Sequence, residues 1–298
     1  MQIINQENIL KNLIKQASAD SIRSEEDLHK LKKNFSKRFN FDLPTNFSLQ
    51  KAYEDMIKDG WEGDTDIQRL IRKRKIRTLS GVSVITVLTK PYPCPGRCVF
   101  CPSEPGMPKS YLSNEPGAMR AVLDDFHPAD QVKTRLDSLR LQGHETEKIE
   151  MIVLGGTFSA YNRKYRSDFV KALFNACNQV KGKSLLEAQQ INEKSSHRII
   201  GLSFETRPDH ITREEVKRMR QLACTKVQIG IQHTDNAILA LNKRGETIED
   251  SKRAIKLMKD AGFKIAAHLM PNLPGSTPEM DIQMLKNVFD DRDLRPDQ

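Results

Sequence analysis

The sequence predicts an α/β protein with a parallel sheet and a separate basic helical region at its amino end. From about residue 78, short apolar runs rich in β-branched residues alternate with amphipathic stretches of helical length. Strands separated by helices of that length form βαβ units, in which the strands run parallel. Residues 1–77 show helical periodicity but no comparable strand. We therefore expect a helical region over residues 1–77 and an α/β domain over residues 78–298.

Five strands alternate with five helices in the predicted α/β domain. The strands are expected over residues 81–88, 149–154, 198–204, 226–231 and 263–269. The helices are expected over residues 128–142, 167–180, 213–222, 248–261 and 279–289. Five such strands suit an open parallel sheet or a partial barrel, and in both folds ligands gather at the carboxyl ends of the strands. Candidate functional residues should therefore follow the strands.

Composition limits the classes of protein to which the chain can belong. Hydrophobic residues make up 38% and charged residues 29% of the 298 residues, which is typical of a globular protein. No apolar run approaches the ~20 residues that span a bilayer, and the amino end lacks the pattern of a signal peptide. We expect a cytoplasmic protein with no membrane partner. The five cysteines are an odd number, which argues against a disulfide framework.

Basic residues are concentrated in the helical region. The net charge of the chain is +9, and polyanions such as nucleic acids are common partners of basic proteins. Two basic clusters, at residues 30–38 and 69–77, could contact phosphates, because each neutralised phosphate releases counterions. A solvated helix face is the alternative. The candidate nucleic-acid contacts are Lys32, Lys33, Arg38, Arg72, Lys73, Arg74 and Lys75.

Three cysteines follow the first predicted strand with the spacing C-x3-C-x2-C, namely Cys94, Cys98 and Cys101. Soft thiolates at this density suit an iron–sulfur cluster or zinc. A structural zinc site needs a fourth ligand, and the next candidate, His127, is distant in the sequence. Three cysteines instead leave one iron of a four-iron cluster open, where a small molecule can chelate it through amino and carboxylate groups. The cysteines are thus candidate ligands of a [4Fe–4S] cluster.

Four further motifs stand at the carboxyl ends of predicted strands. A glycine pair followed by a threonine ends the second strand, Glu and Arg two residues apart end the third, a glutamine ends the fourth and a methionine follows the fifth. Taken singly, a glycine pair is more often a turn and a Glu/Arg pair is often a surface ion pair. In this order they reinforce one another. The residues concerned are Gly155, Gly156, Thr157, Glu205, Arg207, Gln232 and Met270.

The cysteine spacing and the order of these motifs resemble the radical S-adenosylmethionine (SAM) superfamily. This resemblance implies an α/β fold of the radical-SAM type, a partial (β/α)6 barrel. It also implies that the three cysteines hold a [4Fe–4S] cluster and that the seven residues just listed bind S-adenosylmethionine. In the superfamily the glycine pair lets the backbone approach the methionine end of the cofactor, which only glycine permits.

Longer segments are similar to the catalytic subunit of the Elongator complex and its stand-alone bacterial and archaeal relatives. They are residues 92–120, 143–158, 204–209, 230–247 and the segment HLMPNLPG. The resemblance implies a tRNA-modifying acyltransferase that uses acetyl-CoA and S-adenosylmethionine to form 5-carboxymethyluridine at the wobble position of the anticodon loop. It implies that Lys148 contacts acetyl-CoA and that Lys109, Tyr111 and Arg120 line the substrate side.

The chain departs from that family pattern at its carboxyl end, where the family continues into a sixth strand and an acetyltransferase domain. We therefore expect a barrel that lacks its last strand, with an unpaired edge. A partner that supplies the acetyltransferase domain, and a homodimer, are both left open. Three alternatives remain: a radical enzyme acting on a small molecule, a chain that binds tRNA or a partner without catalysis, and a zinc-binding domain.

Overall fold

We analysed a computed structural model of the chain, which describes residues 6–72 and 78–298. Three of the predicted nucleic-acid contacts, Lys73, Arg74 and Lys75, lie outside the described residues. The helices of the described residues, in chain order, are α1 Gln6–Ala19, α2 Glu25–Phe39, α3 Asn46–Lys58, α4 Thr65–Ile71, α5 Pro116–Leu123, α6 Pro128–Leu141, α7 Arg163–Cys177, α8 Leu185–Asn192, α9 Arg213–Gln221, α10 Asn236–Leu241, α11 Ile248–Asp260 and α12 Pro278–Asp290.

The strands form one five-stranded sheet in the order β1-β2-β3-β4-β5. Neighbours β2 and β3, β3 and β4, and β4 and β5 pair in parallel. Helices separate the successive strands, so the predicted α/β class is confirmed. The strands are β1 Ser83–Leu88, β2 Lys148–Leu154, β3 Arg198–Thr206, β4 Lys226–Gln232 and β5 Lys264–Leu269.

The edge of β5 is partly covered by the last residues of the chain. The Gln298 amide donates to the Ile265 carbonyl over 3.1 Å, and the Ala267 amide donates to the Gln298 carbonyl over 3.0 Å. The Asp297 carboxylate also accepts from the Ile265 amide. The edge that we expected to be unpaired therefore carries hydrogen bonds where a sixth strand would begin.

The chain divides into two compact units. The first takes in the described residues up to Ser83 together with Thr134–Glu147, and the second takes in Val84–Lys133 and Lys148–Gln298. The predicted boundary at residue 77 lies outside the described residues and stays a prediction.

The first unit is built from amphipathic helices around an apolar core. Ser24 begins α2 by accepting from the Asp27 amide, as an N-cap does, and three acidic residues follow it in the first turn. The sequence pattern predicted this helix start. Helices α1, α2, α3 and α4 all contribute to the core, whose fully buried members are Leu13, Ala17, Leu49 and Ile67.

In the second unit, the sheet fixes the point at which the cysteine loop begins. The side-chain amide of Gln131 both accepts from the Leu88 amide and donates to the Leu88 carbonyl. One residue later the Thr89 amide donates to the Leu154 carbonyl at the end of β2. The chain therefore leaves β1 in a fixed direction. None of the helices in the described part of the chain is long and apolar enough to cross a membrane.

Candidate active site

A cavity of about 420 Å³ opens at the carboxyl ends of the strands in the second unit. All three cysteines line it, and none of them is in a disulfide. Residues in or just after the carboxyl-terminal halves of β2, β3, β4 and β5 line much of the rest, as parallel α/β folds lead one to expect, together with the loop after β1 and Arg244. Among the residues predicted to bind S-adenosylmethionine, the cavity brings together Gly156, Thr157, Glu205, Arg207, Gln232 and Met270.

Each cysteine has its own hydrogen-bonding surroundings. The Cys94 sulfur lies 3.4 Å from the Gly96 amide and 3.6 Å from the Thr157 hydroxyl. The Cys101 sulfur lies 2.9 Å from the Ser110 hydroxyl. The loop is pinned by the Val99 amide, which donates to the Asn242 carbonyl over 3.1 Å. The three sulfurs are therefore held by a loop that is fixed at several points.

The protonation of Cys98 differs from that of Cys101. Hydrogen bonding with Cys101, supported by the nearby guanidinium groups of Arg244 and Arg207, lowers the pKa of the Cys98 thiol to about 5. The same hydrogen bond, together with burial, raises the pKa of the Cys101 thiol above its ordinary value. Thiolates are the form in which cysteine binds metals, and Cys98 is the cysteine whose surroundings favour that form.

Two guanidinium groups approach Cys98. Nη1 of Arg207 lies 3.7 Å, and Nη1 of Arg244 lies 3.6 Å, from the Cys98 sulfur. Glu246 lies beside both, with carboxylate oxygens 3.5 Å from Arg207 Nη2 and 2.5 Å from Arg244 Nε. Burial raises the pKa of the Glu246 carboxyl to about 8, against the opposing effect of the two guanidiniums.

Glu205 and the glycine pair form a second polar cluster in the cavity. The Glu205 carboxylate accepts from the Gly155 and Gly156 amides over 3.1 and 3.2 Å, and from the Tyr111 hydroxyl over 2.7 Å. Both glycines have positive φ, +137° and +85°. Burial raises the pKa of Glu205 above its usual range, and these donors oppose that shift. Burial and the Glu205 carboxylate raise the pKa of Tyr111.

Gln232 ends β4 in a strained backbone conformation. Its φ is +70°, and the pairing with β5 shifts register between Gly230 and Gln232. Non-glycine residues in this region cluster at functional sites. The Gln232 carbonyl accepts from the Met270 amide over 2.8 Å, which ties the ends of β4 and β5 together. The bulge thus turns Gln232 toward the cavity that Met270 also lines.

Other predicted residues lie elsewhere. Lys148 is exposed at the amino end of β2, about 20 Å along the strand from the carboxyl end at ~3.3 Å per residue. Its predicted contact with acetyl-CoA stays a prediction. Gly155 adjoins the cavity through its amide but does not line it.

The predicted nucleic-acid contacts of the first unit differ in exposure. Lys33 and Arg38 are exposed on α2. Lys32 is buried, its ammonium group donates to the Asn46 side chain, and burial lowers its pKa. Arg72, which caps α4, is half-buried. The ammonium group of Lys32 is therefore not available to a phosphate in this structure, whereas the side chains of Lys33 and Arg38 are open to solvent.

The residues present fit a [4Fe–4S] cluster. Three free thiols line one cavity. The same cavity is lined by polar side chains, which could bind the parts of a ligand that extend beyond the cluster. Within residues 6–72 and 78–298, no group of three His, Cys, Asp or Glu side chains is arranged to hold a single metal ion.

Comparison with known proteins identifies the family. Residues 92–288 match the Radical SAM superfamily, and the chain belongs to it. The predicted fold class is confirmed, and the cofactors are those of the family, a [4Fe–4S] cluster and S-adenosylmethionine.

The relatives of the chain point to a subset of that superfamily. It is 44% identical over 234 residues to the tRNA uridine(34) acetyltransferase of Methanocaldococcus jannaschii, covering 76% of this chain and 43% of the relative. It is 34% identical over 238 residues to the human Elongator complex protein 3, covering 76% and 44%. A solved structure of Methanocaldococcus infernus Elp3 with its N-terminus deleted aligns with a TM-score of 0.62 at 38% identity, covering 73% and 44%. The chain thus spans less than half the length of these relatives.

Sequence reasoning assigned no role to two residues that define the site. Arg244 and Glu246 lie in the segment 230–247, which carried the family resemblance, but neither follows a strand directly. Both are charged and buried, at 5% and 6% exposure. They flank Gly245, whose φ is +75°, in the short connection between α10 and α11, and a charged pair around such a glycine is the signal that could have marked them.

Proposed function

We propose that the chain is the radical domain of an enzyme that modifies the wobble uridine of tRNA, with acetyl-CoA and S-adenosylmethionine as co-reactants. The observation that carries the proposal is the convergence of three free thiols, Glu205 and two guanidinium groups on one cavity. The names of the relatives, tRNA uridine(34) acetyltransferase, support tRNA as the substrate. We further propose that the protein acts in the cytoplasm.

Different residues of the cavity would bind the cluster and S-adenosylmethionine. Cys94, Cys98 and Cys101 would hold the cluster, leaving its fourth corner for the methionine end of S-adenosylmethionine. When bound, the cluster would supply the single electron that reductive cleavage of S-adenosylmethionine requires, and this radical chemistry would be directed at the methyl group of acetyl-CoA. The Glu205 carboxylate, oriented by the Gly155 and Gly156 amides, would accept hydrogen bonds from polar groups of the cofactor.

The remaining residues would orient the cofactor and restrict access of water. Gln232 and Met270 frame the cavity from the ends of β4 and β5. Lys109, also in the lining, stands on the loop that Tyr111 fastens to Glu205. Together they suit positioning, which is the protein's main contribution in cofactor chemistry.

We propose that the anticodon loop of tRNA is the macromolecular partner. Bases in single-stranded loops can be splayed out into a cavity, and the exposed basic residues of α2, including Lys33 and Arg38, would contact phosphates. An acetyltransferase domain, on the same or a partner chain, would deliver acetyl-CoA. A homodimer stays a prediction.

The test is anaerobic reconstitution of the whole chain, with iron and sulfide quantified and 5′-deoxyadenosine measured with and without tRNA. We expect about four irons per chain and 5′-deoxyadenosine formation that rises when tRNA is added. Cys98→Ala should abolish cluster content, whereas Cys224→Ala, at a buried cysteine outside the cavity, should retain it.

Other outcomes would favour the alternatives. A full cluster without 5′-deoxyadenosine would indicate a chain that binds without catalysis. Cofactor cleavage that tRNA leaves unchanged would indicate a small-molecule substrate. Zinc in place of iron would contradict the proposal altogether.

A further inference from the structure

The three cysteines are surrounded unequally by charge. Outside the triad itself, the groups that contact Cys94 and Cys101 are neutral, namely the Thr157 and Ser110 hydroxyls and the Gly96 amide. Cys98 has two guanidinium groups within 3.7 Å of its sulfur. Cys98 is also the most buried of the three, at 8% exposure. Guanidinium N–H groups therefore face one corner of the triad, in a part of the cavity shielded from water, and their counter-charges Asp209 and Glu246 lie on the far side of the two arginines from the sulfur contact.

Arg207 is held at Cys98 by contacts on its other atoms. Nε and Nη2 donate to the two carboxylate oxygens of Asp209, each over 2.9 Å. Nη2 also donates to the Arg244 carbonyl over 2.9 Å. The loop makes room for the guanidinium at Gly96, where a Cβ atom would lie 2.4 Å from Arg207 Nη1. The guanidinium therefore has one packed position.

Arg244 is held just as firmly from another strand. Its Nη2 donates to the Gly230 carbonyl at the end of β4 over 2.6 Å, and a Cβ atom at Gly230 would lie 3.0 Å from that nitrogen. Its Nε faces the Glu246 carboxylate. Both arginines thus present the Nη1 atom to Cys98 and use their remaining nitrogens to fix that position.

We infer that Arg207 and Arg244 raise the reduction potential of the cluster by acting through Cys98, and that Glu246 opposes them as a buried counter-charge. The inference rests on the proposed function, because it requires the cluster. Reduction adds one negative charge to the cluster, and fixed positive charges with N–H groups aimed at a ligand sulfur stabilise the reduced form. A carboxylate beside those cations destabilises it by the same reasoning. The two arginines are positioning and tuning residues, since neither needs to contact the substrate.

The arrangement predicts shifts of opposite sign for the two kinds of residue. Replacing either arginine by glutamine removes a positive charge near Cys98 and should make the potential more negative. Glu246→Gln removes the negative charge and should make it less negative. If these residues only supported the fold, the direction of the change in reduction potential would not depend on the charge that was removed.

The experiment is a dithionite titration of the reconstituted 298-residue chain, monitored by electron paramagnetic resonance, without S-adenosylmethionine and at pH 9. At that pH the Glu246 carboxyl, with its pKa of about 8, is ionised. We expect Arg207→Gln and Arg244→Gln each to lower the ratio of reduced to oxidised cluster about tenfold at a given potential, which is about 59 mV for one electron. Glu246→Gln should raise the ratio.

Three further variants serve as controls. Arg220→Gln removes an exposed guanidinium that stacks on Phe263 outside the cavity, and the potential should not move. Arg207→Lys keeps the charge and should stay closer to the wild type than Arg207→Gln. The double variant Arg207→Gln/Glu246→Gln restores the balance of charge and should return toward the wild-type potential.

Unchanged potentials in fully loaded Arg207→Gln and Arg244→Gln would overturn the inference, as would a Glu246→Gln shift in the same direction as theirs. If those single variants fail to load iron, the lysine and double variants decide the question by the same criterion. If the wild-type chain takes up no cluster, the proposed function itself is contradicted. That outcome is distinct from a loaded cluster whose reduction potential does not change when the arginines are replaced.

Discussion

Gly155 follows β2 with a φ of +137°, and a Cβ atom at this position would lie 1.8 Å from the Thr89 hydroxyl oxygen. Thr89 in turn begins the loop that carries the cysteines, and its hydroxyl contacts Tyr161 over 2.7 Å. The glycine therefore has two reasons to be there, its backbone conformation and the close approach of Thr89. Substitution would disturb the loop that positions the sulfurs as well as the amide that binds Glu205.

We predict that Gly155→Ala lowers the unfolding midpoint in urea and reduces iron uptake. Backbone strain of this kind costs about 1–3 kcal/mol, and displacement of Thr89 adds to it. Gly262→Ala is the matched control, because Gly262 has a φ of +80° but open space where the Cβ would lie. Both glycines have positive φ, but only Gly155 lies against the cysteine loop, so Gly155→Ala with iron uptake as good as that of Gly262→Ala would contradict the argument.

We expect Glu246 to make the reduction potential of the cluster depend on pH. It faces Arg244, Arg207 and Asp209, and burial raises its pKa to about 8. As pH falls through about 8 the carboxyl takes up a proton, a negative charge near the cluster disappears, and the reduced form becomes easier to reach. We predict that the midpoint potential of the wild type rises between pH 9 and pH 7. Glu246→Gln, titrated over the same range, should lose this rise, and a rise that persists would exclude Glu246 as its source.

At the scale of elements, the loop between β1 and α5 is fastened to the sheet by Tyr111. Its hydroxyl donates to the buried Glu205 carboxylate, and the neighbouring Ser110 contacts Cys101. Hydrogen bonds to charged groups contribute about 1.5–3 kcal/mol. The loop is therefore closed over the cavity by an interaction that a single hydroxyl supplies.

We predict that Tyr111→Phe increases the rate of tryptic cleavage after Lys109 by roughly 10–150-fold, if cleavage follows the open population of the loop. Tyr165→Phe is the control, since that hydroxyl accepts from the Lys90 amide and is not bonded to a carboxylate. Cleavage after Lys109 at the wild-type rate in Tyr111→Phe would show that other contacts hold the loop.

Periodicity predicted the larger elements and missed the smaller ones. All five strands were placed within about two residues of their observed ends, because each is a β-branched run between polar turns. Helix α7 begins at Arg163 rather than at residue 167, because its N-cap, Asn162, precedes the apolar pattern. Helices α5, α8 and α10 went unpredicted, since six to eight residues are too few for helical periodicity to show.

The site could be predicted where its residues lie at the carboxyl ends of strands. Glu205 and Gln232 are such residues, since the topology of a parallel sheet brings the ends of its strands together. Arg244 and Glu246 belong to the segment after α10, and only the folded chain shows that it returns to Cys98. The burial of Lys32 could not be predicted from the sequence pattern either, because a run of basic residues does not reveal which of its members face the core.

For the whole molecule, the net charge of +9 raises the question of whether tRNA affinity follows total charge or its location. Long-range attraction depends on the sum, whereas phosphate contacts depend on a few placed cations. In the first unit Lys33, Lys37 and Arg38 are exposed on α2. Exposed lysines also occur in the second unit, so that a matched set of three can separate the two explanations.

We predict that replacing Lys33, Lys37 and Arg38 by glutamate lowers tRNA affinity. The plot of log affinity against log salt concentration should also become less steep by the contribution of about three phosphate contacts, since each contact contributes ~0.7–0.9 to its slope. The control reverses three exposed lysines of the second unit, Lys181, Lys183 and Lys194, and changes the net charge equally. Affinity should be measured by fluorescence anisotropy with an anticodon stem-loop between 50 and 200 mM salt. Equal losses in both triple variants would mean that total charge governs binding, and the α2 contacts would then have to be abandoned.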